Sequence, residues 1–237
     1  MKKIIILLGV PGSGKGTQAK LIAKKYNYAH ISTGDLLRRL ENDIEADPND
    51  KKMLVEMKAG KLVADDLIYK LAFREMEKFF SNNQGIVLDG AIRSIEQAKR
   101  YQEFFIQKKM ADEVLVIEVA LTDKESFNRL TKRRVCNSCG EIVPWLPTTI
   151  DLVVCPKCGG ELKPRQDDDP KVAKKRIKEQ GNSAIKSILK YYQTLNVLKK
   201  VDGMKSIEEV ESEIEKTLLI NSKFQITNSK IDLLFVI

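Results

Sequence analysis

One histidine (His30) and one tryptophan (Trp145) occur in 237 residues, and aromatics make up only 6% of the chain. No Ser/His/Asp or Cys/His nucleophilic arrangement is recognisable around that lone histidine, which is therefore expected to be structural. No apolar run approaches the 18 or so residues of a membrane helix, so no membrane partner is expected. The first apolar run, Ile4 to Leu8, is too short for a signal-peptide core and leads straight into a glycine loop. Cytoplasmic localisation is the expectation. Internal repeats and low-complexity segments are absent from the sequence as well.

What is abundant is positive charge. The formal net charge is +8 and the sequence pI near 9.2, a balance that suits an anionic ligand. Much of the excess lies in amphipathic stretches such as Lys171 to Lys178, where a solvated helix face accounts for it. The basic residues are not interleaved with aromatics, so the stacking platform of a single-strand nucleic-acid binder is missing. Nucleic acid is not expected as a main partner.

Near the amino terminus, GVPGSGKGT (Gly9 to Thr17) follows the run Ile4 to Leu8 and precedes a helical pattern from Gln18 to Tyr26. A strand, a glycine-rich turn and a helix start form the setting of a phosphate-binding loop. Backbone N–H groups of the turn and the first helical turn converge on one spot, where the helix dipole also favours negative charge. Polyphosphate is the natural occupant. The residue after Lys15 is Gly16 rather than the usual Ser/Thr, with Thr17 one place later, which weakens direct hydroxyl coordination of Mg²⁺. Asp89 closes the apolar strand IVLD and is a candidate for the magnesium shell through water; a turn or helix cap is its plainer reading.

Five β-rich runs alternate with helical patterns: Lys3 to Leu8, Tyr28 to Ile31, Gly85 to Asp89, Glu113 to Val119 and Val197 to Val201. That rhythm predicts an α/β fold in three layers, a five-stranded parallel sheet with helices on both faces. Thr122-x-x-Glu125 and Ser206-x-x-Glu209 have capping-box form and mark two helix starts. Two stretches break the rhythm. Asp35 to Phe80 has only helical periodicity, interrupted at Asp47-Pro48 and Ala59-Gly60, and Arg133 to Pro170 is rich in Cys, Gly, Pro and Asp. The expected division is a core of 1–34, 81–132 and 171–220, insertions at 35–80 and 133–170, and a tail at 221–237 to which no role is assigned. Insertions at the carboxyl ends of parallel strands lie where such sheets bind ligands.

The four cysteines form Cys136-x-x-Cys139 and Cys155-x-x-Cys158, fifteen residues apart. That is zinc-ribbon spacing, and four thiolates close a tetrahedral site, so one structural Zn²⁺ per chain is expected. Stapling a loop-rich insert is the expected work of the metal; a zinc ribbon that binds nucleic acid is the competing function. Arg38, Arg93, Arg129, Arg133, Arg165 and Arg176 each fall near a strand end or an insertion. Planar guanidinium forks are what phosphoryl transfer needs, because the protein does little covalent work in it.

Taken in order, GVPGSGKGTQA, ISTGDLLR (Ile31 to Arg38), AGKLV (Ala59 to Val63), LDG (Leu88 to Gly90), RRVC, CPKC, RQDDD (Arg165 to Asp169) and VDG (Val201 to Gly203) resemble the adenylate kinase family in its long form with a zinc-containing lid. The resemblance spans about Lys2 to Leu219. It implies a P-loop fold carrying a monophosphate-binding insertion and a zinc-ribbon lid. It also implies a monomeric Mg²⁺-dependent enzyme that converts ATP and AMP reversibly into two ADP.

Carried over by position, the resemblance implies catalytic roles for Lys15, Arg93, Arg133, Arg165 and Arg176. ATP would be bound by Gly12, Ser13, Gly14, Lys15, Gly16, Thr17, Arg129, Arg133, Gly203 and Met204. AMP would be bound by Thr33, Arg38, Lys61, Val63, Gly90, Arg93, Gln97, Arg165 and Arg176. Gln97 also stands three residues after Ser94, so it is a candidate to complete a capping box instead. The chain reads Asp89-Gly90-Ala91-Ile92-Arg93 where the family carries Phe-Pro before the arginine, and a pyrimidine monophosphate (UMP or CMP) is the alternative acceptor. A further alternative is a P-loop protein whose ribbon binds nucleic acid.

Overall fold

The computed structural model describes residues 1–58, 64–146, 148–165 and 168–232, with the side chains at 57, 58, 64 and 221–232 excepted. Lys61 and Val63, and the break expected at Ala59-Gly60, lie outside the described residues. The chain divides into two compact units: residues 1–8, 14–119 and 187–237, and residues 9–13 and 120–186.

The larger unit is built on strands β1 (Ile4–Leu8), β2 (Ala29–Ser32), β3 (Ile86–Asp89), β4 (Val114–Ala120) and β8 (Leu198–Asp202), in the order β2-β3-β1-β4-β8. Each lies within a residue or so of the run read from the sequence. The sheet is parallel, with Ile4 opposite Ile86 and Val114, and Ala29 opposite Ile86. Its central strands are apolar along most of their length because both faces are covered, as parallel sheets require; the polar residues inside the sheet are His30 in β2, Glu118 in β4 and Lys199 and Lys200 in β8, with Ser32, Asp89 and Asp202 at strand ends. In β1 the alternation is direct: Ile4, Ile6 and Leu8 enter one core with Ile31, Leu67, Tyr101 and Phe105, while Ile5 and Leu7 enter a second with Ile22, Val210, Ile214 and Leu218. One strand thus seals both layers. Fully burying each such side chain is worth about 1.5–3 kcal/mol.

Helices α1 (Lys15–Tyr26) and α9 (Ile207–Asp232) contribute to the second core. In the region 35–80, α2 (Thr33–Asn42), α3 (Pro48–Lys58) and α4 (Ala64–Ser81) contribute to the first, with α5 (Ile95–Gln107) and part of α8 (Asn182–Thr194). Asp47-Pro48 starts α3 as a helix should: Asn49 N–H donates to Asp47 Oδ1 at 2.8 Å, and proline takes a first-turn position where no N–H is needed. At α9 the capping box is reciprocal, with Glu209 N–H donating to Ser206 Oγ and Ser206 N–H to Glu209 Oε2.

The smaller unit holds α6 (Asp123–Lys132), α7 (Pro170–Gln180) and a three-stranded antiparallel sheet of β5 (Arg134–Cys136), β6 (Ile142–Val143) and β7 (Leu162–Pro164), ordered β6-β5-β7. At α6 the box is half made. Thr122 Oγ1 accepts from Glu125 N–H, but Glu125 Oε1 accepts from Arg129 Nε–H at 3.0 Å.

Candidate active site

The glycine loop connects β1 to α1. Gly9, Gly12 and Gly14 have positive φ (146°, 77° and 98°), which bends the chain back on itself. Within the smaller unit Gly12 is packed so tightly that a β-carbon would meet Leu130 Cγ and the Ser126 carbonyl oxygen at 3.3 Å each. Ser126, fully buried, fixes the same turn by donating from its hydroxyl to the Pro11 carbonyl at 2.6 Å. Within the larger unit Gly14 caps α1, and the helix has no acidic residue in its first turn. The helix itself supplies no negative charge to the positive end of its dipole.

Gly16 has a specific reason to be glycine. A β-carbon there would lie 3.0 Å from Asp89 Oδ2, so the missing side chain is what lets that carboxylate come up to the first turn of α1. The register aligns Leu7, Asp89 and Ser32 across the carboxyl ends of β1, β3 and β2. Asp89 is half-buried, and His30 Nε2 stands 4.0 Å from its Oδ2 without a hydrogen-bond partner. Burial lowers the His30 pKa, although Asp89 and Asp35 both pull it up. A neutral imidazole beside the carboxylate fits the structural role expected of it. Asp89 against Gly16, with Thr17 next along the helix, fits a hydrated magnesium ion.

A second group of residues is wired together by hydrogen bonds. Thr33, buried at the start of α2, donates from Oγ1 to the Gly90 carbonyl at 2.8 Å, and Arg93 Nε–H donates to the same carbonyl at 3.4 Å. Gln97 is 6% exposed; its Oε1 accepts from Arg93 N–H at 2.7 Å, and its Nε2 donates to Asp65 Oδ1 at 2.7 Å. Ser94 caps α5 by accepting from Gln97 N–H, but the Gln97 side chain does not return to Ser94. A shallow space beside this chain is lined by Thr33, Leu36, Leu37, Ile68 and Leu71. Ala91 and Ile92, which stand where the resemblance expects Phe-Pro, are buried in the first core.

Arg38 donates to Asp35 Oδ1 from one helical turn away, with its guanidinium folded over Gly34, where a β-carbon would meet it at 3.3 Å. Burial raises the Asp35 carboxyl pKa, but the Arg38 guanidinium outweighs that and holds it below the usual carboxylate range. Gly203 is buried and Met204 exposed in the turn after β8, where Met204 N–H donates to Asp202 Oδ1 at 3.0 Å.

In the smaller unit, Asp168 organises the arginines. It is 5% exposed and receives Arg133 through Nε and NH2 (2.9 Å for the latter) and Arg176 NH1 at 2.7 Å. One buried carboxylate thus holds two guanidinium groups at set positions. Arg165 precedes the segment, and Arg129 is paired with Glu125. Asp168 and Asp65 are absent from the residues read out of the sequence. The RQDDD run was the available signal for the first; for the second there was none.

The four cysteine sulfurs all lie within 4.8 Å of one another, with Cys136 and Cys158 at 3.5 Å and Cys139 and Cys155 at 3.7 Å. Bonds of about 2.3 Å to a tetrahedral zinc put sulfurs about 3.8 Å apart, so the quartet fits that ion. The two knuckles repeat one backbone frame. Gly140 N–H donates to the Cys136 carbonyl and Gly159 N–H to that of Cys155, and both glycines have φ near +70° (69° and 72°). The Cys139 N–H, 3.5 Å from Cys136 Sγ, draws that thiol's pKa down, while the neighbouring thiols push that of Cys158 up, so the first proton leaves the pair from Cys136.

The sequence profile of the adenylate kinase family matches residues 7–197. The chain belongs to the adenylate kinase family. It is 39% identical over 223 residues to an adenylate kinase of Elusimicrobium minutum, covering 93% of this chain and 99% of the relative. An adenylate kinase of Thermoanaerobacter sp. (strain X514) is 40% identical over 219 residues, 90% of this chain and 97% of the relative. One from Staphylococcus epidermidis is 37% identical over 213 residues, 89% and 96%. The family match spans the residues that carry the four cysteines.

Proposed function

We propose that this chain is a nucleoside monophosphate kinase that transfers a phosphoryl group reversibly from ATP to AMP, giving two ADP. The observation that carries the reading is Asp89 drawn up against Gly16 at the first turn of the P-loop helix, with the Thr33–Gly90–Arg93–Gln97 chain beginning one residue later. The first suits a metal-bound triphosphate and the second a monophosphate acceptor. In the reaction an oxygen of the acceptor phosphate attacks the γ-phosphorus, and the bond from that phosphorus to the β,γ-bridging oxygen breaks. Lys15, Gly12, Ser13, Gly14, Gly16 and Thr17 hold the donor phosphates, with Gly203 and Met204 beside the donor base. Arg38 and Arg93 clamp the acceptor phosphate, and Thr33, Gly90, Gln97 and the 61–63 segment face its nucleoside.

Arg133, Arg165 and Arg176 neutralise oxygens during transfer, and Arg129 contacts the donor. Asp89 would hold Mg²⁺ through water, and the ion would supply positive charge to the phosphoryl oxygens. Cys136, Cys139, Cys155 and Cys158 hold a structural zinc. Residues 1–34, 81–132 and 171–220 form the core, 35–80 the acceptor insertion and 133–170 the lid. The two insertions exclude water so that ATP is not hydrolysed. The protein works as a cytoplasmic monomer. The nucleic-acid reading is not favoured, because the relatives matched over about nine-tenths of the chain are named adenylate kinases.

A coupled assay with ATP and each of AMP, UMP, CMP and GMP tests the assignment. Magnesium-dependent transfer to AMP, lost in Lys15→Ala and Arg93→Ala at unchanged fold, is expected. No transfer to any acceptor would overturn it, and preference for UMP or CMP would move the assignment to a pyrimidine kinase.

A further inference from the structure

Gln97 is held at both ends of its amide. The main-chain N–H of Arg93 points at Oε1, and the carboxylate of Asp65, from the first turn of α4, accepts from Nε2, each at 2.7 Å. A backbone N–H can only donate and a carboxylate can only accept. The orientation of this amide, usually an arbitrary choice, is therefore fixed by its surroundings. Rotating it by 180° would set NH2 against N–H at one end and carbonyl oxygen against carboxylate at the other. At a residue 6% exposed, water cannot relieve either clash. Once these two bonds are made, the amide keeps one N–H and one oxygen lone pair, in a set order.

We propose that Asp65 is a specificity-determining positioning residue: by locking the Gln97 amide in one orientation, it makes the acceptor site accept a 6-aminopurine edge and reject a 6-oxopurine edge. This rests on the reading above that Gln97 faces the acceptor base. An adenine edge offers a ring-nitrogen acceptor beside an amino donor; a hypoxanthine edge offers a ring N–H donor beside a carbonyl acceptor. The two are mirror images in polarity and nearly identical in shape. An amide free to rotate satisfies either one. An amide that cannot rotate satisfies one and leaves the other with two mismatched contacts, the situation in which polar sites discriminate most strongly. Asp65 touches no substrate in this scheme and acts only through Gln97.

The test is kcat/KM for AMP and for IMP, which differ only at this edge, in the wild type and in Asp65→Asn, Asp65→Ala and Gln97→Leu, with the thermal midpoint and the KM for ATP measured alongside. The wild type is expected to prefer AMP by at least about 100-fold. In Asp65→Asn the preference should fall by about tenfold or more, through a raised KM for AMP and a relative gain for IMP, while the KM for ATP stays put. Asp65→Ala, if folded, should go further in the same direction. A merely structural aspartate would slow both acceptors alike and leave the ratio unchanged, and that result overturns the proposal. If Gln97→Leu collapses the ratio while Asp65→Asn does not, the lock is wrong and the contact of Gln97 with the base stands. If Gln97→Leu also leaves the ratio unchanged, it is the reading of Gln97 as a base contact that fails, and the lock with it.

Discussion

Carboxylates define the chemistry at the scale of single residues by what they orient. Asp168 is the most exacting. Removing its charge leaves Arg133 and Arg176 without the acceptor that sets their spacing, although neither arginine is itself changed. Asp168→Asn is expected to lower kcat by about 10- to 100-fold, the equivalent of one charge-assisted hydrogen bond. The KM for AMP should change much less, and steady-state kinetics would separate the two. Asp89 and Gly16 form a pair in the same sense. Gly16→Ala puts a methyl group 3.0 Å from Asp89 Oδ2, so the carboxylate must retreat; the magnesium concentration needed for half-maximal rate should rise several-fold.

Glu118 makes a different point, because its site opposes its charge. Burial in β4 raises its pKa above the ordinary 4.5, with Lys200 pulling the other way. An acid whose folded pKa is raised contributes stability below its unfolded pKa, and that contribution is lost as pH rises through the folded value. Glu118→Gln should therefore be the more stable protein at neutral pH, by roughly 2–4 °C in thermal midpoint if the difference is about 1 kcal/mol. The advantage should vanish near pH 4, below the unfolded pKa. Midpoints measured at the two pH values decide it.

At the scale of elements, the five sheet strands were legible as short β-rich runs ending near a loop or a helix start, most nearly apolar in β1, β3 and β4 and interrupted by His30 in β2 and by Lys199 and Lys200 in β8. The helix starts at Ser206 and Thr122 were legible from capping residues alone. The small β5–β7 sheet was not: strands of two and three residues carry too little pattern, and Ile142 and Val143 stand out only once the knuckles have brought them beside Arg134 and Val135. The site divides in the same way. The P-loop and the cysteines announce themselves by local spacing, whereas Asp65 meets Gln97 across 32 residues and Asp168 meets Arg133 across 35. Contacts at that separation are made by the fold and leave no periodic trace in the sequence.

Trp145 stacks near the cations of Lys132 and Arg134, at 5.9 and 5.3 Å, and Arg134 donates to the carbonyls of Leu152 and Thr149. These contacts would supplement a metal on the four cysteines and do not replace it. Metal analysis should find about one zinc per chain. Chelation should abolish amide-exchange protection in β5–β7 while that of β1, β3 and β4 persists, because the two cores of the larger unit include no cysteine. Unchanged protection in the insert after complete metal removal would contradict a structural zinc.

Across the whole molecule, a net charge of +8 and two anionic substrates imply encounter rates that depend on salt. Raising ionic strength from about 0.01 to about 0.15 M shortens the Debye length from roughly 30 to 8 Å. The kcat/KM for ATP should fall several-fold over that range with kcat little changed; parallel loss of both would point to a structural effect of salt instead.

The position of β1 in the sheet also sets a timetable. Ile4–Leu8 is made first yet lies at the centre, and its two neighbours begin at Ile86 and Val114. At synthesis rates of about 5–20 residues per second, a five-residue aliphatic strand waits roughly 4–16 s for its first partner and longer for its second. During that interval it is a naked β-segment with both edges open, the kind that recruits other nascent chains. Lys2 and Lys3 immediately precede it, where flanking charge is known to discourage such association. The central strand that seals both layers of the finished protein is thus, during translation, an aliphatic segment left waiting for both of its partners.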